Sequence, residues 1–318
     1  MSGRDRMICA LKRQKVSGRI PHMELVFYLT METFRAVHPE HRNLYQWNQM
    51  SAREQDIQLD DIADALIKPA KKYGHSAIFL HYPTALQLPE YLRVMEKIRE
   101  KTGDEFFLMM HGDPTFSIPD GSHMVEFSEM MYEEPEKLKA LAQARLDSAV
   151  KQAEEIARHP GLLDGFALCS DYCFNVNPFF SPAAFSEFVA PYLEKCIRSY
   201  REMGFYTIKH TDGNIMPIVD QMVQCAPDAL HSLDPQAGVS LCEVGRLYGD
   251  KVTLIGNVNC GLLQTGTQSE CEADIRRALR EGMALPGYVF STSNCIYTGM
   301  PLERYELMHK IWWEEGVV

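Results

Sequence analysis

The sequence predicts an α/β fold of the (β/α)8 TIM barrel type, in which eight parallel strands alternate with helices. Short apolar runs rich in β-branched and aromatic residues recur eight times, and stretches with helical periodicity separate them. Polar residues follow the ends of most of these runs. This alternation is typical of parallel sheets that carry helices on their faces. A doubly wound open sheet is the alternative, because periodicity alone does not show whether a sheet closes.

The predicted strands are short segments bounded by Gly, Pro or polar residues. The first segment has Pro21 near its start. The fifth segment is 205–214, in which apolar residues lead into His210-Thr-Asp-Gly-Asn214. The eight segments are 20–29, 76–81, 105–111, 164–171, 205–214, 229–234, 251–257 and 287–293.

Helical periodicity that ends near Gly or Pro predicts the helices between and after these strands. The longest are 4–14, 53–73, 88–101, 134–158, 183–203, 238–248, 268–283 and 302–314, and a shorter pattern runs from Ile215 to Val223. The stretch 112–132 predicts a long loop with a short helix, of the kind that covers a site. Because the chain shows no internal repeat, low-complexity segment or linker, we expect one barrel domain over 1–318, with a short N-terminal helical extension.

Composition narrows the class of protein. The chain has 318 residues, of which 46% are hydrophobic and 24% charged, and its net charge is −11. This charge argues against a nucleic-acid binder that neutralises phosphates. The N-terminus lacks an export signal and no apolar run is long enough to span a membrane, so the sequence predicts a cytoplasmic protein. The nine cysteines are expected to be reduced.

The active site of a barrel lies where its strands end in the C-terminal direction, so the polar residues at those positions are the candidates. Buried ionisable groups are costly unless they are paired, hydrogen-bonded or bound to metal. The candidates are Glu24, His81, His111, Asp113, Asp171, Tyr172, His210, Asp212, Asp234, Asn257, Asn259, Cys260, Asn294, Cys295 and Tyr297. No dinucleotide, Walker or nucleophile-elbow motif occurs in a strand-to-helix context.

Three of these candidates suggest a metal site. His210, Asp212 and Cys295 offer the imidazole nitrogen, carboxylate oxygen and thiolate that zinc accepts. The alternative is that Asp212 caps the following helix and that His210 is a hydrogen-bonded wall residue. Similar structural roles are open to Asp171 and Asp234 as caps or loop anchors. Asn257 and Asn259 could fix a turn.

Four segments give the chain a family resemblance that is most specific after residue 205. They are Arg4-Asp-Arg-Met-Ile-Cys-Ala-Leu-Lys12 with Arg19-Ile-Pro21, His210-Thr-Asp-Gly-Asn214, Leu254-Ile-Gly-Asn-Val-Asn259 with Leu263-Gln-Thr-Gly-Thr267, and Tyr288-Val-Phe-Ser-Thr-Ser-Asn-Cys295. Together they resemble the uroporphyrinogen decarboxylase superfamily. The resemblance implies a (β/α)8 barrel that is either a cofactor-free decarboxylase or a corrinoid-dependent methyltransferase.

The details favour the methyltransferase branch. Decarboxylases of the superfamily grip substrate carboxylates with an N-terminal arginine motif, whereas the matching segment here, Met23-Glu-Leu-Val-Phe-Tyr28, has no arginine. They also carry Gly-His-Gly where this chain has Ser293-Asn-Cys295. The methyltransferases hold zinc with His-x-Cys and a later Cys. His210 and Cys295 match that pattern, but Asp212 replaces the first Cys and makes the metal a harder Lewis acid.

The resemblance therefore implies a zinc-assisted methyltransferase that moves a methyl group between a small substrate, such as a methoxylated aromatic, and methylcobalamin carried by a separate corrinoid protein. His210, Asp212 and Cys295 would hold zinc, and Asp171, Asp234 and His111 would act catalytically. The substrate-binding candidates are Glu24, His81, Tyr172, Asn257, Asn259 and Tyr297. A cofactor-free decarboxylase is the alternative enzyme, and a non-catalytic barrel that binds a corrinoid protein or ligand is a third possibility.

Overall fold

The computed structural model describes residues 1–81 and 86–318, and its centre is a parallel sheet. Within these residues, seven strands follow one another in sequence order across the sheet. They are β1 (Ala77–Leu80), β2 (Phe107–His111), β3 (Gly165–Cys169), β4 (Tyr206–Thr211), β5 (Ala229–Ser232), β6 (Thr253–Ile255) and β7 (Tyr288–Val289). Each lies within a segment that the sequence predicted to be a strand.

Helices connect and flank the strands. They are α1 (Gly3–Leu11), α2 (Thr30–Phe34), α3 (Ala52–Tyr73), α4 (Leu88–Thr102), α5 (Met124–Glu133), α6 (Pro135–Ala157), α7 (Pro182–Phe188), α8 (Ala190–Glu202), α9 (Val219–Gln224), α10 (Leu241–Tyr248), α11 (Cys260–Thr265), α12 (Gln268–Met283) and α13 (Leu302–Glu315). Capping boxes, Ser51 with Glu54 and Thr267 with Glu270, begin α3 and α12. Within the described ranges, no helix combines the length and the apolar character needed to cross a membrane.

The segment 20–29 differs from the prediction, because it forms isolated bridges instead of a continuous strand. His22 pairs with Phe290 and Phe27 pairs with Ile296, both in parallel. From His22 to Phe27 the chain advances by five residues, whereas from Phe290 to Ile296 it advances by six. The second segment therefore contains one extra residue, as in a β-bulge. The carbonyl of His22 also accepts a hydrogen bond from the amide of Ser76, just before β1. The sheet is therefore curled, since this segment contacts both of its edges.

The two faces of the sheet are both buried, as expected for parallel strands that alternate with helices. On one face Phe79, Met109 and Ile208 belong to a compact inner cluster. On the other face Leu80 and Met110, next to them in sequence, pack in the larger core beneath the helices. Since side chains alternate along a strand, His81, His111 and His210 continue the inner face at the C-terminal ends.

Candidate functional site

The inner face at the ends of β3, β4 and β5 carries three aligned side chains. Cys169 of β3 is in register with His210 of β4, and His210 is in register with His231 of β5. In-register residues of neighbouring parallel strands lie about 5 Å apart, so these three residues are neighbours across the strands. His231 of β5 therefore belongs to the surroundings of His210.

Asp171, His210 and Asp212 form the group most suited to a metal ion in the part of the chain that is described. One nitrogen or oxygen atom of each residue lies within 4.8 Å of the others. His210 Nε2 is 3.8 Å from Asp212 Oδ1, and Asp171 Oδ1 accepts a hydrogen bond of 3.0 Å from the backbone amide of Asp212. Asp171 is exposed and His210 is buried, so the group lies between the interior and solvent.

The contact between His210 and His231 favours one tautomer of His210. Their Nδ1 atoms are 2.7 Å apart, so one of them carries a hydrogen and the other a lone pair. His231 Nε2 is 3.5 Å from the hydroxyl of Ser291, which can accept a hydrogen from it. With that hydrogen on His231 Nε2, the Nδ1 atom of His231 is an acceptor, so His210 donates to it through Nδ1. The Nε2 atom of His210, which is the one nearer Asp212, then carries a lone pair. Burial lowers the pKa of His210 to about 4, so this lone pair is free at neutral pH.

Asp212 is held in place from two further strand ends. Ser232 Oγ, 2.8 Å away, contacts Oδ1, and the side-chain amide of Asn294 donates to Oδ2. Ser232 has a φ of 88°, an unfavourable value for a residue with a side chain and one that is typical of functional sites. Burial, followed by the neighbouring Asp171 carboxylate, raises the pKa of Asp212 to about 7.

The donor set fits a divalent metal such as zinc. An imidazole nitrogen and two carboxylate oxygens are ligands that zinc accepts, and a set of three protein ligands leaves a position for substrate or water. The pKa of Asp212 indicates a carboxyl group that gives up its proton most readily when a cation is nearby. A histidine whose other ring nitrogen is engaged by a neighbouring side chain is the usual arrangement for a metal ligand.

Cys295 lies near this group without being one of its three members. Burial, followed by Cys260, Asp212 and Cys169, raises the pKa of its thiol well above the usual value. Cys260 donates from Sγ to the carbonyl of Cys295 at 3.6 Å, and burial raises its own pKa to about 11. Both thiols are therefore protonated at neutral pH unless a metal binds them.

A second polar cluster connects the ends of β1 and β2 to the loop before α3. His81 Nδ1 lies 2.8 Å from His111 Nε2, and His81 Nε2 lies 2.8 Å from the carboxylate of Glu40. Tyr28 also donates its hydroxyl to Glu40. Burial, with smaller contributions from His81 and His210, lowers the pKa of His111 to about 4 although part of its ring reaches solvent. Glu40, His81 and His111 border a pocket of about 330 Å³ whose apolar wall includes Leu80, Tyr91 and Met110.

Glu24 is fully buried beside the segment that follows β7. Its Oε2 accepts hydrogen bonds from the hydroxyl and the amide of Thr292, at 2.6 and 3.3 Å. Its Oε1 is 3.0 Å from His22 Nε2. Burial raises the pKa of Glu24 to about 8 and lowers that of His22 to about 3, so both are neutral at pH 7. The carboxylic acid hydrogen therefore belongs on Oε1 and is donated to His22.

Lys209 forms a buried ion pair next to the site. Its ammonium group is 2.7 Å from Asp113 Oδ2 and also donates to the carbonyls of Leu168 and Ser170, at 3.1 and 3.0 Å. Asp113 Oδ1 accepts from both the amide and the hydroxyl of Thr115. All three hydrogens of Lys209 thus have acceptors, and the network ties β4 to the loop after β2.

The remaining candidates have partners within the protein. Asp234 Oδ1 accepts from the amide of Gln236, and Asn259 Oδ1 caps α11 through the amide of Leu262. Asn257 is fully buried and donates to the carbonyl of Leu233. Tyr172 is fully buried, with its hydroxyl 2.6 Å from that of Thr115, whereas Tyr297 is half-buried against the outer core. The side chains of Asp171, His210, Asp212 and Asn294 come together, whereas those of Asp234, Asn257, Asn259 and Tyr172 form hydrogen bonds elsewhere at the strand ends.

Sequence reasoning missed Glu40, Tyr28 and Ser232. Glu40 reaches His81 from a segment without a motif, and Tyr28, at the end of the first predicted strand, reaches Glu40, so no local signal shows that either residue belongs to this cluster. Lys209 did leave a signal, because a charged residue inside an otherwise apolar strand must find a buried partner.

Comparison with known proteins identifies the family and the fold of the chain. The family model described as uroporphyrinogen decarboxylase (URO-D) matches residues 87–312. A methyltransferase from Methanosarcina mazei has the same fold, with a TM-score of 0.76 at 18% identity over 99% of both chains.

Two further solved structures show lower similarity. The N-acetylneuraminate lyase from Fusobacterium nucleatum has a TM-score of 0.43 at 11% identity, with 81% of this chain and 70% of that chain covered. The α-amylase from Geobacillus thermoleovorans has a TM-score of 0.45 at 8% identity, with 80% and 71% covered. None of the curated proteins matches the chain.

Proposed function

Because the chain belongs to the uroporphyrinogen decarboxylase family, we propose that it is a methyltransferase that acts between a small substrate and the cobalt of a separate corrinoid protein. The match to a methyltransferase along the full length of both chains supports this branch of the family over the decarboxylases. A methoxylated aromatic compound is the proposed methyl donor. The proposal includes a single closed barrel, with the segment 20–29 in the place of the eighth strand, and a cytoplasmic location.

The observation that carries the proposal is the group of Asp171, His210 and Asp212. We assign zinc to these residues, with Cys295 as an additional ligand from the segment after β7. Bound there, zinc would polarise the heteroatom that carries the methyl group. The chain's own residues supply the rest: Ser232 and Asn294 orient Asp212, and His231 fixes the His210 tautomer.

Substrate contacts are assigned to the accessible candidates. His81 and His111 border the pocket at the ends of β1 and β2, and Tyr297 is half-buried. Burial, followed by the nearby Cys260 and Asp212, raises the pKa of Tyr297. No arginine is among the residues that border this pocket in the described parts of the chain. A porphyrinogen, with its many carboxylates, would lack the bidentate partners that such groups need.

Metal analysis of protein purified without a chelating resin tests the site. We expect about one zinc ion per chain and a loss of zinc in His210→Ala and Asp212→Asn. Cys295→Ala tests the fourth ligand. The matched control is Cys242→Ala, which removes an exposed thiol on α10 and should leave the zinc content unchanged.

The activity is tested with free cob(I)alamin in place of the corrinoid protein and a methoxylated phenol as donor. Methylcobalamin formation, followed by its absorption spectrum, should require zinc and His210. A protein that retains no zinc and consumes uroporphyrinogen would contradict the proposal and establish the decarboxylase.

A further inference from the structure

We propose that His111, held by His81 and Glu40, exchanges a proton with a hydroxyl-bearing aromatic ligand bound in the pocket beside it. This inference rests on the proposed methyl transfer for the identity of the reaction. The hydrogen bonds among Glu40, His81 and His111 do not depend on that proposal. Glu40 and Tyr28 are new participants, and they act by positioning His81 and, through it, His111.

The hydrogen bonds fix the order of donors and acceptors. Burial alone would raise the pKa of Glu40, but the hydroxyl of Tyr28 and the ring of His81 outweigh it, so the pKa is lowered and the group is a carboxylate. A carboxylate only accepts, so His81 donates to Glu40 through Nε2 and presents a lone pair at Nδ1. His111 must then donate through Nε2, and its Nδ1 is left as an acceptor.

This arrangement resembles other carboxylate-oriented imidazoles in its physical logic. A carboxylate behind a histidine selects one tautomer and stabilises the imidazolium that forms when a proton arrives. Here His81 lies between the carboxylate of Glu40 and the ring of His111, so the carboxylate acts on His111 through His81. The positive charge of a protonated His111 is balanced by Glu40 through His81, and the part of the ring that reaches solvent allows the proton to be replaced.

The pocket indicates the class of ligand. Its volume of about 330 Å³ is at the lower end of small-molecule sites. Leu80, Met110 and the ring of Tyr91 contribute apolar surface to this pocket, and Glu40, His81, His111 and Gln152 contribute polar groups. An apolar ring with one donor group complements this surface, since the nitrogen left on His111 can only accept from a neutral ligand. A phenol satisfies both requirements.

The proton balance of the reaction follows from this placement. When the bond between the methyl carbon and the oxygen of an aryl ether breaks, the electron pair stays on oxygen and the methyl group passes to its acceptor. The oxygen then takes one proton, which solvent supplies by way of His111: the neutral Nδ1 accepts a proton from solvent, passes it to the oxygen and returns to its neutral form. In the reverse direction His111 Nδ1 removes the phenol proton before the oxygen is methylated.

Nitrogen NMR of the histidine side chains in the resting, full-length protein tests the relay. We expect His111 in a single tautomer, with hydrogen on Nε2, and a mixture of tautomers in Glu40→Gln, because an amide can donate as well as accept. His123→Gln is the control, since that exposed side chain contacts Asp120 and Ser122, its neighbours in sequence. The signals of His210 and His231 report in the same spectra that the variant is folded. Hydrogen on Nδ1 of His111 in the wild type, or an unchanged His111 in Glu40→Gln, would overturn the relay.

Titration of metal-free protein with phenol and with anisole tests the ligand class. Phenol should shift the Nδ1 resonance of His111, and anisole, which has the same ring without the donor, should leave it unchanged. An equal response to both probes, or none to phenol, would overturn the assignment. Methyl transfer that fails while the phenol response persists rejects the proposed function alone. Methyl transfer in a protein that shows no phenol response rejects this inference alone.

Discussion

The Nδ1 atoms of His210 and His231 lie 2.7 Å apart across β4 and β5, and both side chains are buried. One of these nitrogens must donate to the other, so the pair cannot be protonated independently. The register of the two strands sets this contact, because His210 and His231 are direct partners in the ladder. The tautomer of the proposed metal ligand is therefore determined by a residue on the next strand.

Substitution of His231 tests this dependence. His231→Leu removes the acceptor of the His210 Nδ1 hydrogen and should weaken zinc binding by about 10- to 100-fold, the usual effect of losing such a partner. His231→Asn places an amide oxygen near the position of Nδ1 and should lose less. Competition titration with a zinc chelator measures both. Equal affinities in the wild type and His231→Leu would show that the contact has no bearing on a metal.

The ion pair of Lys209 and Asp113 predicts a large effect on stability. Both side chains are almost completely buried, so Lys209→Met leaves an uncompensated carboxylate and should cost about 3–5 kcal/mol. The double variant Lys209→Met/Asp113→Asn removes that charge and should recover much of the loss. Urea unfolding provides the measurement. Lys137→Met, which breaks an exposed pair on α6, is the control and should leave the midpoint unchanged. A double variant no more stable than Lys209→Met would contradict this account.

Glu24 predicts a fall in stability with rising pH. Its pKa is about 8 in the folded protein against 4.5 for an ordinary glutamate, so between these values the native state holds a proton that the unfolded chain has released. The stabilisation by this proton is complete below pH 4.5 and is lost as the pH rises through about 8. Each pKa unit corresponds to about 1.4 kcal/mol, so the total amounts to several kcal/mol.

Glu24→Gln should remove this dependence, because Gln keeps the shape and the hydrogen-bonding pattern of the protonated acid. Urea unfolding of both proteins in chelator at pH 5, 7 and 9 gives the difference in free energy of unfolding. The variant should gain stability relative to the wild type as the pH rises. A difference that stays constant over this range would show that Glu24 is ionised in the folded protein.

Gly213, next to Asp212, allows a close approach of two chain segments. Its φ is +81°, and a Cβ atom there would lie 2.5 Å from the carbonyl oxygen of Cys173. Gly161 has nearly the same φ, +82°, with open space around it. Gly161→Ala should therefore cost about 1–2 kcal/mol for the backbone alone, and Gly213→Ala clearly more, with weaker zinc binding as Asp212 shifts. Thermal unfolding of the two variants compares them, and equal losses would exclude the steric contribution.

Local signals explain which elements were predictable. The helix predicted over 268–283 is α12 with the same bounds, because Thr267 and Glu270 form a capping box that is visible in the sequence. The helix predicted over 183–203 is divided into α7 and α8 at Val189. Pro191 lacks the amide hydrogen that a continuous helix requires and therefore indicates a break, although the helical periodicity of 183–203 continues across it.

The first predicted strand shows the limit of such reasoning. The segment 20–29 is largely buried, yet in the described parts of the chain it forms isolated bridges, at His22 and Phe27, instead of a continuous strand. Its hydrogen-bonding partners, around Phe290 and Ile296, are more than 260 residues away, and their register contains an extra residue. Pairing between distant segments depends on the arrangement of the whole sheet, which no local pattern encodes.

The sequence by itself determined the alternation of strands and helices and the placement of His210 and Asp212 where β4 ends, because periodicity and turn chemistry act over a few residues. Its motifs resembled those of the family that the family model then confirmed. Only the tertiary structure decided which side chains meet: Asp171 as the neighbour of Asp212, His231 behind His210, and Glu40 behind His81. The physical reason is that these contacts join strand ends and loops that are far apart in the chain. Their distances follow from sheet register and packing, and the hydrogen bonds that set tautomers and pKa values exist only once those distances are fixed.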